Sequence, residues 1–253
     1  MSDSDPQYGA LASVYDFLLP EALLDPRGSV AALQPWLDEV PRGAPVLDCA
    51  CGPGHLAVGL AHAGFAVTAT DASPAMCSRA RALAESQGVP LAVERMAWDE
   101  LADQHWDGRF AAVFCVGNSL AHAEGSAGRR RALRNMSRLL GDGGRLLVTS
   151  RNWELVRSKG SHLQVGEEVV VRSGRRGLVI HNWALPDRWA DRHRLDIAVA
   201  LLDDPDVVQT ISEELAFWPF RHEELLDDVE AAGLRVATTT YAGDVERYLV
   251  VGL

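Results

Sequence analysis

The feature that most constrains this chain is the alternation between residues 45 and 150, where short apolar runs are each followed by a helical stretch with glycine at the changeovers. Pro45-Val46-Leu47-Asp48-Cys49-Ala50 predicts a buried strand that runs into glycines. Residues 55–63 predict a helix stopped by Gly64. Phe65 to Thr70 predicts strand two, ended by Asp71; residues 74–87 predict a helix ended by Gly88. Leu91 to Glu94 and Phe110 to Val116 predict strands three and four. Residues 127–140 predict a helix, Gly141-Asp142-Gly143-Gly144 its turn, and Arg145 to Ser150 strand five. Strands and helices at this spacing predict parallel βαβ units in a doubly wound sheet.

The alternation then stops. Strand-like runs at 167–172, 178–185, 193–202 and 207–218 follow without helices between them, with a hairpin turn at Ser173-Gly174-Arg175-Arg176-Gly177. Residues 221–232 return to helix, and 234–241 and 246–252 predict two closing strands. The fold class is therefore α/β: a seven-stranded, mostly parallel Rossmann-like sheet with an antiparallel insert. At 253 residues the chain reads as one domain. Residues 1–40 form a helical N-terminal part broken at Pro20 and Pro26, 41–154 with 220–253 the core, and 155–219 the insert.

With 47% hydrophobic and 23% charged residues, disorder and disulfide scaffolds are excluded. No apolar run reaches the roughly 18 residues of a membrane span, and the acidic N-terminus lacks a secretory h-region. A net charge of −11, with basic character almost wholly from arginine, argues against nucleic acid as a partner. Cys49, Cys51, Cys77 and Cys115 read as buried reduced thiols of a cytoplasmic protein, and their spacing does not suit a metal site.

The strand ending Asp48-Cys49-Ala50-Cys51-Gly52-Pro53-Gly54 opens a helix, and two ligand classes use such a loop. Gly52-Pro53-Gly54-His55-Leu56-Ala57 matches the G-x-G-x-x-A pattern of dinucleotide sites, with Asp71 placed 17 residues after Gly54. Asp48 counts against that ligand, because its carboxylate would face a pyrophosphate. Like charges about 4 Å apart cost on the order of 4 kcal/mol at an effective dielectric of 20. A sulfonium and an ammonium suit the acid instead, and S-adenosylmethionine carries both.

Asp48, Gly52 and Gly54 stand in the register of the first motif of the class I S-adenosylmethionine-dependent methyltransferases, which the chain resembles. By that resemblance Asp71 takes both ribose hydroxyls, and residues 94–99 hold the adenine with Ala97 and Trp98 beside the ring. Residues 140–146 resemble the turn into strand five. Ala50, Ala72, Met76 and Cys115 lie in or beside these segments and are expected to bind the cofactor, with S-adenosylhomocysteine as its product.

Gly117-Asn118-Ser119-Leu120-Ala121-His122 and Arg151-Asn152-Trp153-Glu154 resemble segments of the glycine and glycine/sarcosine N-methyltransferases. The resemblance implies that Arg151 grips the acceptor's carboxylate and that Asn118 hydrogen-bonds the same group. The chemistry agrees, since a guanidinium fork matches a carboxylate bidentately. His122 either lines the cofactor's methionine end or caps the next helix. In the family the N-terminal segment lids the cofactor with a tyrosine near the sulfonium; Tyr8 is the better match and Tyr15 the next. The segment Met96-Ala97-Trp98 lacks the Asn expected before the tryptophan, and Phe217-Trp218-Pro219 stands where a tyrosine is expected.

These residues imply a methyltransferase acting on the amine of a small amino acid such as glycine or sarcosine. Trp183, Trp189 and Trp218 favour the alternative of a larger natural-product acceptor, N-, O- or C-directed. The sequence leaves a homo-oligomer open.

Overall fold

The computed structural model describes residues 7–253. The twelve strands are β1 Pro45–Asp48, β2 Ala66–Asp71, β3 Ala92–Arg95, β4 Phe110–Cys115, β5 Leu140–Arg151, β6 His162–Val165, β7 Val170–Arg172, β8 Arg175–Ala184, β9 His193–Leu201, β10 Gln209–Phe217, β11 Val236–Thr239 and β12 Arg247–Gly252. The helices are α1 Glu21–Leu24, α2 Pro26–Ala31, α3 Gln34–Leu37, α4 His55–His62, α5 Pro74–Ser86, α6 Gly125–Arg138, α7 Trp153–Ser158 and α8 His222–Ala231.

Seven strands form one sheet in the order β11-β12-β5-β4-β1-β2-β3, with β12 antiparallel to both neighbours. The order reverses between β1 and β4, so the crevice at their carboxyl ends is the place for a ligand. Both faces are buried, as the pleat requires: Val46 packs in one core and Leu47 in the other. The expected glycine turn before strand five is instead a bulge inside β5, where the pairing steps from Phe110–Leu140 to Ala112–Arg145.

The insert is an antiparallel sheet in the order β10-β9-β8-β6, with β7 paired to β8. Its hairpin turn is only Ser173-Gly174, both at positive φ, the requirement of a two-residue turn that follows strand twist. Residues Arg175 to Gly177, expected in that turn, already pair in β8. Trp183, Leu195, Ile197 and Val199 join the main core.

The N-terminal part differs from its expected helical form. It is a 3-10 segment, Leu11–Leu18, followed by α1, α2 and α3, because Pro20, Pro26 and Pro35 interrupt the helix. It packs tightly all the same. A Cβ on Gly177 would meet the Phe17 ring at 2.6 Å, and one on Gly59 would meet the Pro26 carbonyl at 2.1 Å. Among the described residues no helix is long and apolar enough to cross a membrane.

Candidate active site

Strand β1 delivers the loop that floors the crevice. Gly52 sits at φ +52° with open space where a Cβ would be, so its backbone faces the crevice. Gly54 has a different task. At φ +92° its missing Cβ lies 2.9 Å from Ala80 of α5, so it lets two helices meet. Asp71 ends β2, and its carboxylate accepts from Gly52 N at 2.9 Å and Ser73 N at 2.8 Å. Two bonds leave a carboxylate further lone pairs for a diol.

Asp48 is fully buried, and neither carboxylate oxygen has a hydrogen-bond partner. Burial pushes its pKa up to about 7, only partly offset by the nearby Ala50 N–H, and the Asp71 carboxylate adds to the rise. A buried acid without a partner is costly unless a donor or a cation completes it.

A cavity of about 850 Å³ opens beside this floor, with Ala50, Asp71, Ala72, Ala97, Trp98 and His122 on its wall. The Trp98 ring is pinned, its Nε1 donating to Cys49 O at 2.8 Å. A second cavity of about 480 Å³ reaches under the N-terminal segment, with Tyr15, Gly52, Met76, Thr149 and Arg247 on its wall. Tyr8, Ala50, Asp71 and Ser119 line both, so the two cavities meet there.

Tyr8 stands at this junction. Its hydroxyl lies 2.8 Å from Nε2 of His122, whose Nδ1 lies 2.8 Å from Ala216 O. A carbonyl only accepts, so Nδ1 carries the imidazole proton and Nε2 accepts from Tyr8. Burial lowers the His122 pKa to about 4 and raises that of Tyr8, so both stay neutral. The lone pairs of the Tyr8 oxygen are thereby left for the cavity. Glu213 of β10 holds this turn of chain by accepting from Tyr8 N and Leu11 N.

Arg151 ends β5. It is half-buried, its guanidinium lies 5.5 Å from the Trp183 ring centroid, and no acid among the described residues pairs with it. Burial and the neighbouring Arg247 lower its pKa to about 10. Asn118, in the left-handed region at φ +72°, accepts with Oδ1 from Arg151 N at 3.0 Å. Oδ1 is thereby engaged in positioning the end of β5, so only Nδ2 is left for the acceptor contact expected from the sequence.

Residues 46–144 match the family described as "Methyltransferase domain". The glycine loop, the acid of β2 and the Trp98 wall all fall in that span. Residues 46–144 belong to a methyltransferase domain of the class I S-adenosylmethionine-dependent kind. The chain is 33% identical over 151 residues to glycine N-methyltransferase from Homo sapiens, which covers 54% of this chain and 51% of that protein. The chain thus spans about half the length of this relative. An S-adenosylmethionine-dependent methyltransferase from Clostridium acetobutylicum superposes with a TM-score of 0.77 at 17% identity, over 97% of this chain and 98% of the other. A sugar N-methyltransferase from Streptoalloteichus gives 0.68 at 24% identity, over 100% and 95%. These structures share the fold.

Domains of this kind take S-adenosylmethionine, and the residues fit it. The methyltransferase domain offers an uncompensated acid at Asp48, a diol acceptor at Asp71 and a pinned indole at Trp98. Several expected site residues stand elsewhere. Cys115 is fully buried in the core, because strand alternation turns it away from the crevice, and Gly54 serves helix packing. Trp218 lines the larger cavity and Trp183 lies beneath Arg151. Trp189 is held between Arg157 and Arg221. Sequence reasoning missed Glu213 and Arg247, since no local pattern marks an acid that caps a distant turn or one arginine among many.

Proposed function

We propose that this protein transfers the methyl group of S-adenosylmethionine to the amine of a small amino acid such as glycine or sarcosine. The observation that carries the reading is Arg151, a half-buried guanidinium at the carboxyl end of β5 with no acid paired to it among the described residues. Such a group has the charge and fork geometry for a substrate carboxylate. The likeness to glycine N-methyltransferase supports the same acceptor class.

When bound, S-adenosylmethionine supplies a methyl group on a sulfonium, a good leaving group. Asp48 provides the negative charge for its cationic end, Asp71 the acceptor for its ribose hydroxyls, and Ala97 and Trp98 the wall for its adenine. Tyr8 turns its oxygen lone pairs toward the junction of the cavities, where a cation is favoured. Arg151 and the Asn118 amide hold the carboxylate, which aims the amine. Positioning of this kind can supply about 7–11 kcal/mol of barrier reduction. The amine must arrive uncharged, and its proton goes to solvent.

The second cavity favours another reading. Beyond the cofactor residues Ala50, Gly52 and Asp71 its wall extends to Leu19, Leu23, Leu33 and Trp36, so a larger natural-product acceptor, methylated on nitrogen, oxygen or carbon, is the alternative. A direct test is S-adenosylhomocysteine release with a panel of amino acids and their methyl esters. Turnover of free acids alone supports the carboxylate grip; equal turnover of the esters refutes it.

A further inference from the structure

The second cavity has two kinds of wall. Tyr8, Asp71 and Ser119 lie where it meets the first cavity, and Tyr15, Thr149 and Arg247 add further polar groups to its wall. An apolar stretch of wall comes from Leu19, Leu23, Leu33 and Trp36 of the N-terminal segment with Leu56 and Leu249, interrupted by Ser29 and His55. Glycine and sarcosine have no side chain to cover such a wall.

Arg247 adds a second observation. It is the direct cross-strand partner of Arg151, and like charges in direct register are destabilising. Among the described residues neither arginine has a carboxylate at ion-pair distance. Glu246 is close enough for its field to reach Arg151, as are the Tyr8 and Tyr15 hydroxyls, and His181 lies on the insert side. None of these completes the pair. An anion placed between the two guanidiniums relieves their repulsion and binds to both.

Taken together, the geometry points to an acceptor that is an amino acid with a large apolar side chain. Its carboxylate lies between Arg151 and Arg247, its side chain in the leucine- and tryptophan-walled chamber, and its amine at the junction beside Tyr8. This rests on the proposed amino-acid reading and replaces its small acceptor by one with a large apolar side chain. Arg247 is on this account a specificity residue, and the N-terminal segment is the side-chain pocket as well as a lid.

The test is calorimetric titration of the protein saturated with S-adenosylhomocysteine. The ligands are glycine, leucine, phenylalanine and leucinamide. Leucine or phenylalanine is expected to bind roughly tenfold or more tightly than glycine, by the apolar area covered. Leucinamide, which lacks the anion, is expected to lose roughly tenfold or more against leucine. Arg247→Gln should weaken leucine but not leucinamide, with S-adenosylhomocysteine affinity as the control for folding. Glycine binding as tightly as leucine, or leucine binding unchanged in Arg247→Gln, overturns this inference and leaves the amino-acid reading standing. Binding of S-adenosylhomocysteine with no amino acid bound overturns both.

Discussion

The Tyr8 hydroxyl donates to Nε2 of His122 across 2.8 Å, joining residues 114 positions apart at the junction of the two cavities. The bond fixes where the remaining Tyr8 lone pairs point, and Ala216 fixes the imidazole tautomer that accepts it. Tyr8→Phe should lower kcat by about 10- to 100-fold, the worth of roughly 1.5–3 kcal/mol for a hydrogen bond to a charged group. Cofactor affinity should change much less. Because His122 titrates at about 4 and Tyr8 above its ordinary range, the wild-type to Tyr8→Phe ratio should stay flat from pH 6 to pH 9. A ratio with an inflection near pH 6.5 would show that the imidazole charges in the active range.

Asp48 makes stability and cofactor affinity respond oppositely to pH. Its folded pKa of about 7 lies above the ordinary 3.8, so the folded protein binds the extra proton between those values. Its contribution to stability is therefore full below pH 3.8 and is lost as pH rises through 7. At about 1.36 kcal/mol per unit this is on the order of 4 kcal/mol. Asp48→Asn should raise the Tm of the ligand-free protein at pH 8, with the gain shrinking toward pH 4. The same variant should bind S-adenosylmethionine more weakly at pH 8, since it offers the sulfonium and ammonium no charge. Thermal melts and calorimetry across pH read both effects.

Gly52 and Gly54 share a left-handed backbone yet fail differently. Gly54→Ala adds a Cβ clash with Ala80 to the strain of φ +92°, so the cost should appear in the Tm, at about 1–3 kcal/mol or more. Gly52→Ala meets no protein atom, so its larger effect should be on cofactor affinity. Melts and S-adenosylhomocysteine titrations of the two variants separate these outcomes.

Arg151→Lys keeps the charge and loses the fork. The expected fall in kcat/KM is about 2–4 kcal/mol, carried mainly by the acceptor KM, with cofactor affinity unchanged. Steady-state kinetics varying each substrate in turn decide this. An unchanged acceptor KM would leave Arg151 a structural neighbour of Trp183 only.

The cofactor half of the site was legible because its chemistry is local. The acid, glycines and helix of residues 48–62 are contiguous, and Asp71 and Trp98 follow at the ends of adjacent strands. The acceptor half depends on distant contacts. Glu213 caps the Tyr8 turn from the insert, and Arg247 meets Arg151 only through strand pairing. Strand β6 was invisible for another reason: Leu163 and Val165 are 64% and 46% exposed at a sheet edge, so no buried alternation marks them. The N-terminal segment read as longer helices because apolar spacing survives in 3-10 turns, while its prolines set the true breaks.

The central claim is that a carboxylate-bearing amine receives the methyl group at the junction beside Tyr8. The most direct measurement is an incubation with methyl-labelled S-adenosylmethionine and an amino-acid mixture from glycine to phenylalanine, with the labelled product resolved by mass spectrometry. The account predicts label on the amine nitrogen of an amino acid, lost in Arg151→Ala while cofactor binding persists. Label on no amino acid, or on an oxygen or carbon atom, would contradict it.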